Sequence, residues 1–178
     1  SFIAVIIGLW MMQLPPHKPK GGKLSPWQQL RSGVVYAASI IEIRALLMMA
    51  FVLSTFGITY STVMPAFVQN VLHAGPQAFG AINASSGIGA IIAAVIIARH
   101  GGRGTRGYWL CWVALLFPIV LTIFAWNHDY ASALILAVLL GVGFMSQFTL
   151  INTLLQTRIS DEMRGRVLSL YTMTFFSF

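Results

Sequence analysis

The chain has 178 residues, of which only 8% are charged while 57% are hydrophobic, and its mean hydropathy is +0.80. Soluble domains carry about 25% charged residues, so these values exclude a water-soluble globular fold. The formal charge of +7 comes from Lys and Arg residues that lie between apolar blocks, so the sequence has no continuous basic face for nucleic acid. The single cysteine, Cys111, excludes an intrachain disulfide and a cysteine-built zinc site.

The apolar runs at the two ends of the sequence are short. Residues 2–14 and 167–178 each fall below the roughly 20 helical residues that cross a bilayer. The charges of the first run follow it and no basic segment precedes it, so it does not have the pattern of a signal peptide. We therefore expect residues 1–14 to be the end of one transmembrane helix and the last block to be the start of another, both cut from a longer protein.

Residues 15–44 form the longest predicted loop. After a linker rich in Pro, Lys and Gly, Ser25 is a candidate N-cap, Pro26 suits the first helical position, and Gln28 can complete a capping box. Apolar residues then recur at the helical spacing expected for a helix on the membrane surface: Trp27, Leu30, Val34, Ala38 and Ile41. The alternative is one helix that continues into the next span.

Four blocks are long enough to cross the bilayer, namely residues 45–70, 79–98, 108–126 and 131–157. Backbone groups in lipid must be paired internally, so each block is predicted to be a helix. A β-barrel would require short segments of alternating polarity, which these blocks lack. The predicted fold class is therefore all-α, a polytopic transmembrane helix bundle.

Alternating the loops across the bilayer places residues 15–44, 99–107 and 158–166 on one side. Residues 71–78 and 127–130 then lie on the other side. Every Lys and Arg falls in the first set of loops, and the positive-inside rule makes that side cytoplasmic.

No enzyme site is predicted. The four His residues lie in separate loops without metal-ligand spacing, and no carboxylate pair shares a helical face within a span. The glycine-rich residues 101–107 lack the Gly-Lys-Ser/Thr ending of a phosphate loop and are better explained as a tight turn. The predicted spans also contain no Asp, Glu, Lys, Arg or His, so a proton relay within this part of the protein is not expected.

The last full span has one face that is mostly small and polar. Its members recur at helical spacing, beginning near Gly141: Met145, Ser146, Thr149, Asn152, Thr153 and Gln156. A second polar face follows the first full span: Ser54, Ile58, Ser61, Thr62, Pro65 and Gln69. Such faces serve either close helix packing or a water-filled pathway, and the sequence leaves both open.

The second span carries small residues at four-residue spacing, which predicts close helix packing: Gly80 with Ala84, and Ser85 with Gly89 and Ala93.

Three stretches resemble one transporter family. Residues 152–171, with Asp161-Glu-Met-Arg-Gly-Arg166 at their centre, resemble the junction of helices ten and eleven in major facilitator superfamily transporters. More specifically, this stretch resembles the bacterial group that includes the enterobactin exporter. Residues 25–31 and 43–47 are similar to that group's central loop and start of helix seven.

The resemblance implies a partial major facilitator fold. Residues 1–14 would be the end of helix six, residues 15–44 the cytoplasmic central loop, and residues 45–178 the C-terminal half, truncated in helix eleven. In this family helices seven and ten line a central cavity. The implied pathway residues are Ser61, Thr62, Gln69, Thr149, Asn152, Thr153 and Gln156, and the implied cytoplasmic gate consists of Asp161, Arg164, Gly165 and Arg166.

The implied function is secondary active transport in the bacterial inner membrane, with export of siderophores or drug-like molecules by alternating access. Expected partners are membrane lipid, a small-molecule substrate, protons as a candidate coupling ion and the missing N-terminal half, with no cofactor. The alternative is a non-conducting membrane scaffold or accessory subunit. The loop 99–107 lacks the Asp of the family's loop motif, and Ser160 stands where a Pro is common, so a complete charge-relay gate at loop 99–107 is not implied.

Overall fold

The computed structural model describes residues 25–100 and 104–176. These ranges contain six helices: α1 Pro26–Ser39, α2 Ile41–Asn70, α3 Pro76–His100, α4 Arg106–Ala125, α5 Tyr130–Arg158 and α6 Asp161–Phe176. No strand occurs within them, which confirms the all-α prediction. The helix end predicted for residues 1–14 and most of the following linker lie outside the described residues, as do residues 101–103 of the glycine-rich turn.

Helix α1 begins where the sequence predicts. Ser25 is the N-cap, its backbone N–H donates to Oε1 of Gln28 at 3.2 Å, and Pro26 takes the first helical position. Ile40 is extended, with φ −104° and ψ 112°, and it separates α1 from α2. One continuous helix is therefore excluded. Trp27 and Val34 of the predicted apolar stripe are exposed, while Ile41 belongs to the next helix.

Helices α2 to α5 are long and apolar enough to cross a membrane, which confirms the four predicted spans. The 30 residues of α2 extend about 45 Å at 1.5 Å per residue, more than the roughly 30 Å hydrocarbon layer. Helix α2 is therefore long enough to cross this layer even when it is tilted.

Helix α6 begins earlier than predicted. The sequence placed residues 161–166 in a loop, but they form the first turns of α6, and only Ile159 and Ser160 separate it from α5. The Ser160 carbonyl accepts from the backbone N–H groups of Met163 and Arg164, both at 3.0 Å. Asp161 and Glu162 in the first turn also suit the positive end of the helix dipole.

Helix α5 contacts α2, α3, α4 and α6 and is the central helix of the described bundle. Its closest approach is to α3. A Cβ on Gly89 would overlap the Val138 carbonyl oxygen, and one on Gly141 would overlap the Ser86 carbonyl oxygen, so the two backbones touch. Ala93 is fully buried, and the predicted packing of the small residues is confirmed there and at Gly89. Gly80 and Ala84 are exposed.

Contacts along α2 fix the relative directions of the helices. Glu42 pairs with Arg158 at one end, and a Cβ on Gly57 would meet the Phe144 ring at 2.5 Å near the middle, so α2 and α5 are antiparallel. The Phe124 ring packs on Phe67 in the C-terminal part of α2, with 5.2 Å between centroids. Helix α4 therefore runs parallel to α2.

Candidate substrate pathway and cytoplasmic gate

The polar side chains of α5 are largely paired within the helix itself. Thr153 Oγ1 donates to the Thr149 carbonyl at 2.8 Å, and Gln156 Nε2 donates to Asn152 Oδ1 one turn away. Hydroxyls that bond to the preceding turn need no neighbouring helix to satisfy them. Thr149, Asn152 and Thr153 are half-buried and Gln156 is exposed. The polar groups in this part of α5 are therefore partly exposed and are largely paired along the helix.

The same face of α5 is closed at its other end. Val138, Gly141 and Val142 contact α3 at Ser86 and Gly89. At about 100° per residue, Asn152 and Gln156 lie within about 60° of Gly141 around the helix, so they continue the face that packs on α3. The face thus packs against α3 around Gly141 and is partly exposed from residue 149 onward.

The predicted pathway residues of α2 are more exposed than those of α5. Ser61, Thr62 and Gln69 are all exposed. Gln69 also lines a cavity of about 550 Å³ at the turn between α2 and α3, together with Pro65 and His73. His73 has a positive φ of 48°, a backbone conformation that is uncommon for a residue other than glycine and marks the tight turn there.

The α2 and α5 sets lie at different depths. Because Gly57 faces Phe144, Ser61 lies about 6 Å beyond that level in one direction and Thr149 about 8 Å beyond it in the other. Counted from the same level at 1.5 Å per residue, Gln69 of α2 and Gln156 of α5 are about 36 Å apart along the direction of the helices. The structure does not bring the two sets together into one cluster, and they occupy successive depths of the bundle.

The predicted gate residues take part in two different contacts. Arg164 Nη2 lies 2.6 Å from Asp161 Oδ1, one turn away on α6. Arg166 Nη1 donates to Ser32 Oγ of α1 at 2.8 Å, and a Cβ on Gly33 would meet the Arg166 Cβ at 3.1 Å. Gly165 is exposed with open space around it. Of the predicted gate residues, Arg166 therefore connects α6 to α1.

A third contact at this end was not identified from the sequence. Arg158 Nη1 lies 2.6 Å from Glu42 Oε2 and joins α5 to α2. Tyr36 adds a hydrogen bond from its hydroxyl to Ser160 Oγ at 3.4 Å. The only sequence signal for the Glu42 pair was that both residues lie in loops assigned to the same membrane side.

Two buried polar residues also escaped the sequence reasoning as functional candidates. Gln147 is only 6% exposed, and its Nε2 atom has no hydrogen-bond partner among the described residues. Ser54, placed on the polar face of α2, is 1% exposed and donates to the Thr174 carbonyl of α6 at 3.0 Å. Ser54 therefore packs between helices.

The four spanning helices, their polar face and their arginine-rich end define a multi-pass helical membrane protein. The sequence profile of the Major Facilitator Superfamily matches residues 1–178, and the chain belongs to this superfamily of membrane transporters. No curated protein and no solved structure matches the chain.

Proposed function

We propose that this chain supplies the C-terminal half of a secondary active transporter that exports siderophores or drug-like molecules by alternating access. The observation that carries the proposal is the partly exposed polar face of α5, residues 149–156, at membrane depth in the central helix. The Asn152 and Gln156 amides can form more hydrogen bonds than the one between them, and unsatisfied amide atoms are unfavourable in lipid. This face is therefore expected to contact water, substrate or another part of the transporter. The Ser61, Thr62 and Gln69 set continues the pathway toward the opposite membrane surface.

The end that carries Arg158, Arg164 and Arg166 is proposed to face the cytoplasm of a bacterial cell, with residues 15–44, 99–107 and 158–166 on that side. The excess of arginine there supports this orientation. Residues 71–78 and 127–130 then face the periplasm. The Glu42–Arg158 and Asp161–Arg164 pairs are the proposed cytoplasmic gate contacts, with Gly165 and Arg166 next to them.

Proton coupling is proposed to depend on the N-terminal half of the protein. Three of the four acidic residues here have other roles, because Glu42 and Asp161 are in ion pairs and Asp129 caps α5. Asp129 Oδ2 accepts from the Ser132 backbone N–H at 2.8 Å, and this bond lowers the pKa of the carboxyl below its ordinary value. A carboxylate held ionised outside the span is a poor proton carrier.

Transport by inverted vesicles tests the proposal against a non-conducting scaffold. Vesicles that contain the full-length transporter are energised with a proton gradient and given a catechol siderophore or a panel of drug-like amphiphiles. We expect uptake above that of protein-free vesicles, abolished by a protonophore and altered in substrate preference by Asn152→Leu. Absence of uptake for every compound, with the protein correctly inserted, would favour the scaffold.

A further inference from the structure

A large apolar groove lies between α1, α2 and α6 near the arginine-rich end of the bundle. Its volume is about 590 Å³, and its lining includes Ala38, Met48, Phe51 and Met173. From Arg44 to Phe51 the groove follows α2 for about 10 Å, which is roughly two thirds of the hydrocarbon depth of one leaflet. The groove is therefore long enough for the part of one acyl chain that lies nearest the headgroup.

Hydrogen bonds between helices hold the walls of the groove together. Helix α1 is held to α6 by the Arg166–Ser32 hydrogen bond and by the close approach of Gly33. Helix α2 is held to α6 by the hydrogen bond from Ser54 Oγ to the Thr174 carbonyl. These two attachments set the separation of α1 and α2 at the groove.

The deep end of the groove offers hydrocarbon contacts. Thr174 reaches it, but its hydroxyl donates to the Leu170 carbonyl at 2.9 Å and its carbonyl accepts from Ser54. A peptide in an irregular conformation here would leave backbone groups unpaired, which is costly at membrane depth. The chemistry of the deep end favours an acyl chain.

The mouth of the groove carries a cation with no carboxylate partner. Arg44 is exposed in the first turn of α2, directly after the α1–α2 corner. All four acidic residues of the chain are described, and their ion pairs are with Arg158 and Arg164, not with Arg44. A guanidinium at the start of a span lies at the depth of lipid phosphates, with which it forms charge-assisted hydrogen bonds.

We propose that this groove is a binding site for an anionic phospholipid of the cytoplasmic leaflet, with one acyl chain between α2 and α6 and its phosphate on Arg44. A bound lipid would fill the space between α1 and α2. The site stands apart from the substrate pathway, and its occupancy does not depend on whether that pathway conducts.

Native mass spectrometry of the full-length transporter tests the site. The protein is given equal amounts of phosphatidylglycerol and phosphatidylcholine with identical acyl chains. Because one basic residue near the surface contributes about 1 kcal/mol to anionic lipid binding, we expect about a five-fold preference for phosphatidylglycerol. Arg44→Gln should remove most of it. Arg99→Gln, which neutralises an exposed arginine outside the groove, is the matched control and should retain it.

Ala38→Trp tests the acyl-chain part of the site, because Ala38 is exposed and lines the groove. The larger side chain should lower the occupancy of both lipids. Glycerol phosphate, the headgroup without acyl chains, should not displace phosphatidylglycerol. The proposal is overturned if Arg44→Gln keeps the preference, if Arg99→Gln loses it equally, if Ala38→Trp leaves occupancy unchanged, or if glycerol phosphate competes.

Discussion

Arg158, the last residue of α5, forms an ion pair with Glu42 in the first turn of α2, with 2.6 Å between Nη1 and Oε2. The pair connects the two helices that carry the candidate pathway. Both side chains are about half exposed, at 56% and 54%, so solvent screening limits the strength of the attraction. We interpret the pair as a contact that sets the register of α2 and α5 at the arginine-rich end and that can break when the helices move.

A double-mutant cycle on this pair should give a coupling energy of about 0.2–1 kcal/mol, the range found for exposed ion pairs. The variants are Glu42→Gln, Arg158→Gln and the double replacement, measured by unfolding of the purified transporter. Glu162→Gln is the control, since Glu162 forms no ion pair with any described residue. Zero coupling would contradict the role of the pair in holding α2 and α5 together.

Gly141→Ala should destabilise the protein by about 1–3 kcal/mol, the usual cost of overpacking. The added Cβ would overlap the Ser86 carbonyl oxygen, and a backbone atom cannot move aside as a flexible side chain can. Gly87→Ala is the matched control, because a Cβ there meets nothing within 4 Å and alanine favours the helix. Thermal unfolding of both variants measures the difference. Equal stability of the two would contradict the close α3–α5 crossing.

Gln147→Met should leave stability unchanged or raise it slightly. The Gln147 Nε2 atom is buried without a partner, and an apolar side chain of similar shape removes that desolvation cost. Ser54→Ala, which removes a formed hydrogen bond to α6, should instead cost about 0.6 kcal/mol. If Gln147→Met lowered stability by more than Ser54→Ala, the amide would have a partner in the native membrane state.

The sequence predicts the local features of this fold well, because they depend on neighbouring residues. The Ser25–Gln28 capping box and the four spans follow from spacing and hydropathy. Small residues predict close packing at Gly89, but they fit any helix, so the partner Gly141 could not be identified. The depth offset between Ser61 and Thr149 likewise depends on the Gly57–Phe144 contact, which no local pattern encodes.

The orientation of the bundle is tested by labelling cysteines with an impermeant thiol reagent in intact cells. The background is Cys111→Ser, which removes the only cysteine of these 178 residues, with any cysteine in the rest of the transporter replaced as well. Gln77→Cys should react in intact cells, and Ser160→Cys should react only after lysis. Both residues are exposed, and Gln77 avoids the positive φ of the nearby His73. The reverse pattern would place the arginine-rich end outside the cell.

We propose that the α5 polar face lines a water-accessible pathway. The rate of thiol modification at position 152 tests whether water reaches this face. In the full-length Cys111→Ser protein, Asn152→Cys is treated with a charged methanethiosulfonate with and without substrate. Leu139→Cys is the control, because Leu139 lies on the same helix and is 48% exposed but belongs to its apolar side.

We expect that Asn152→Cys reacts and is protected by substrate, while Leu139→Cys, facing lipid, stays unmodified. Cysteines at Thr149, Thr153 and Gln156 should follow Asn152. Unreactive cysteines at all four positions, together with normal transport by Asn152→Leu, would contradict the account and assign this face to helix packing.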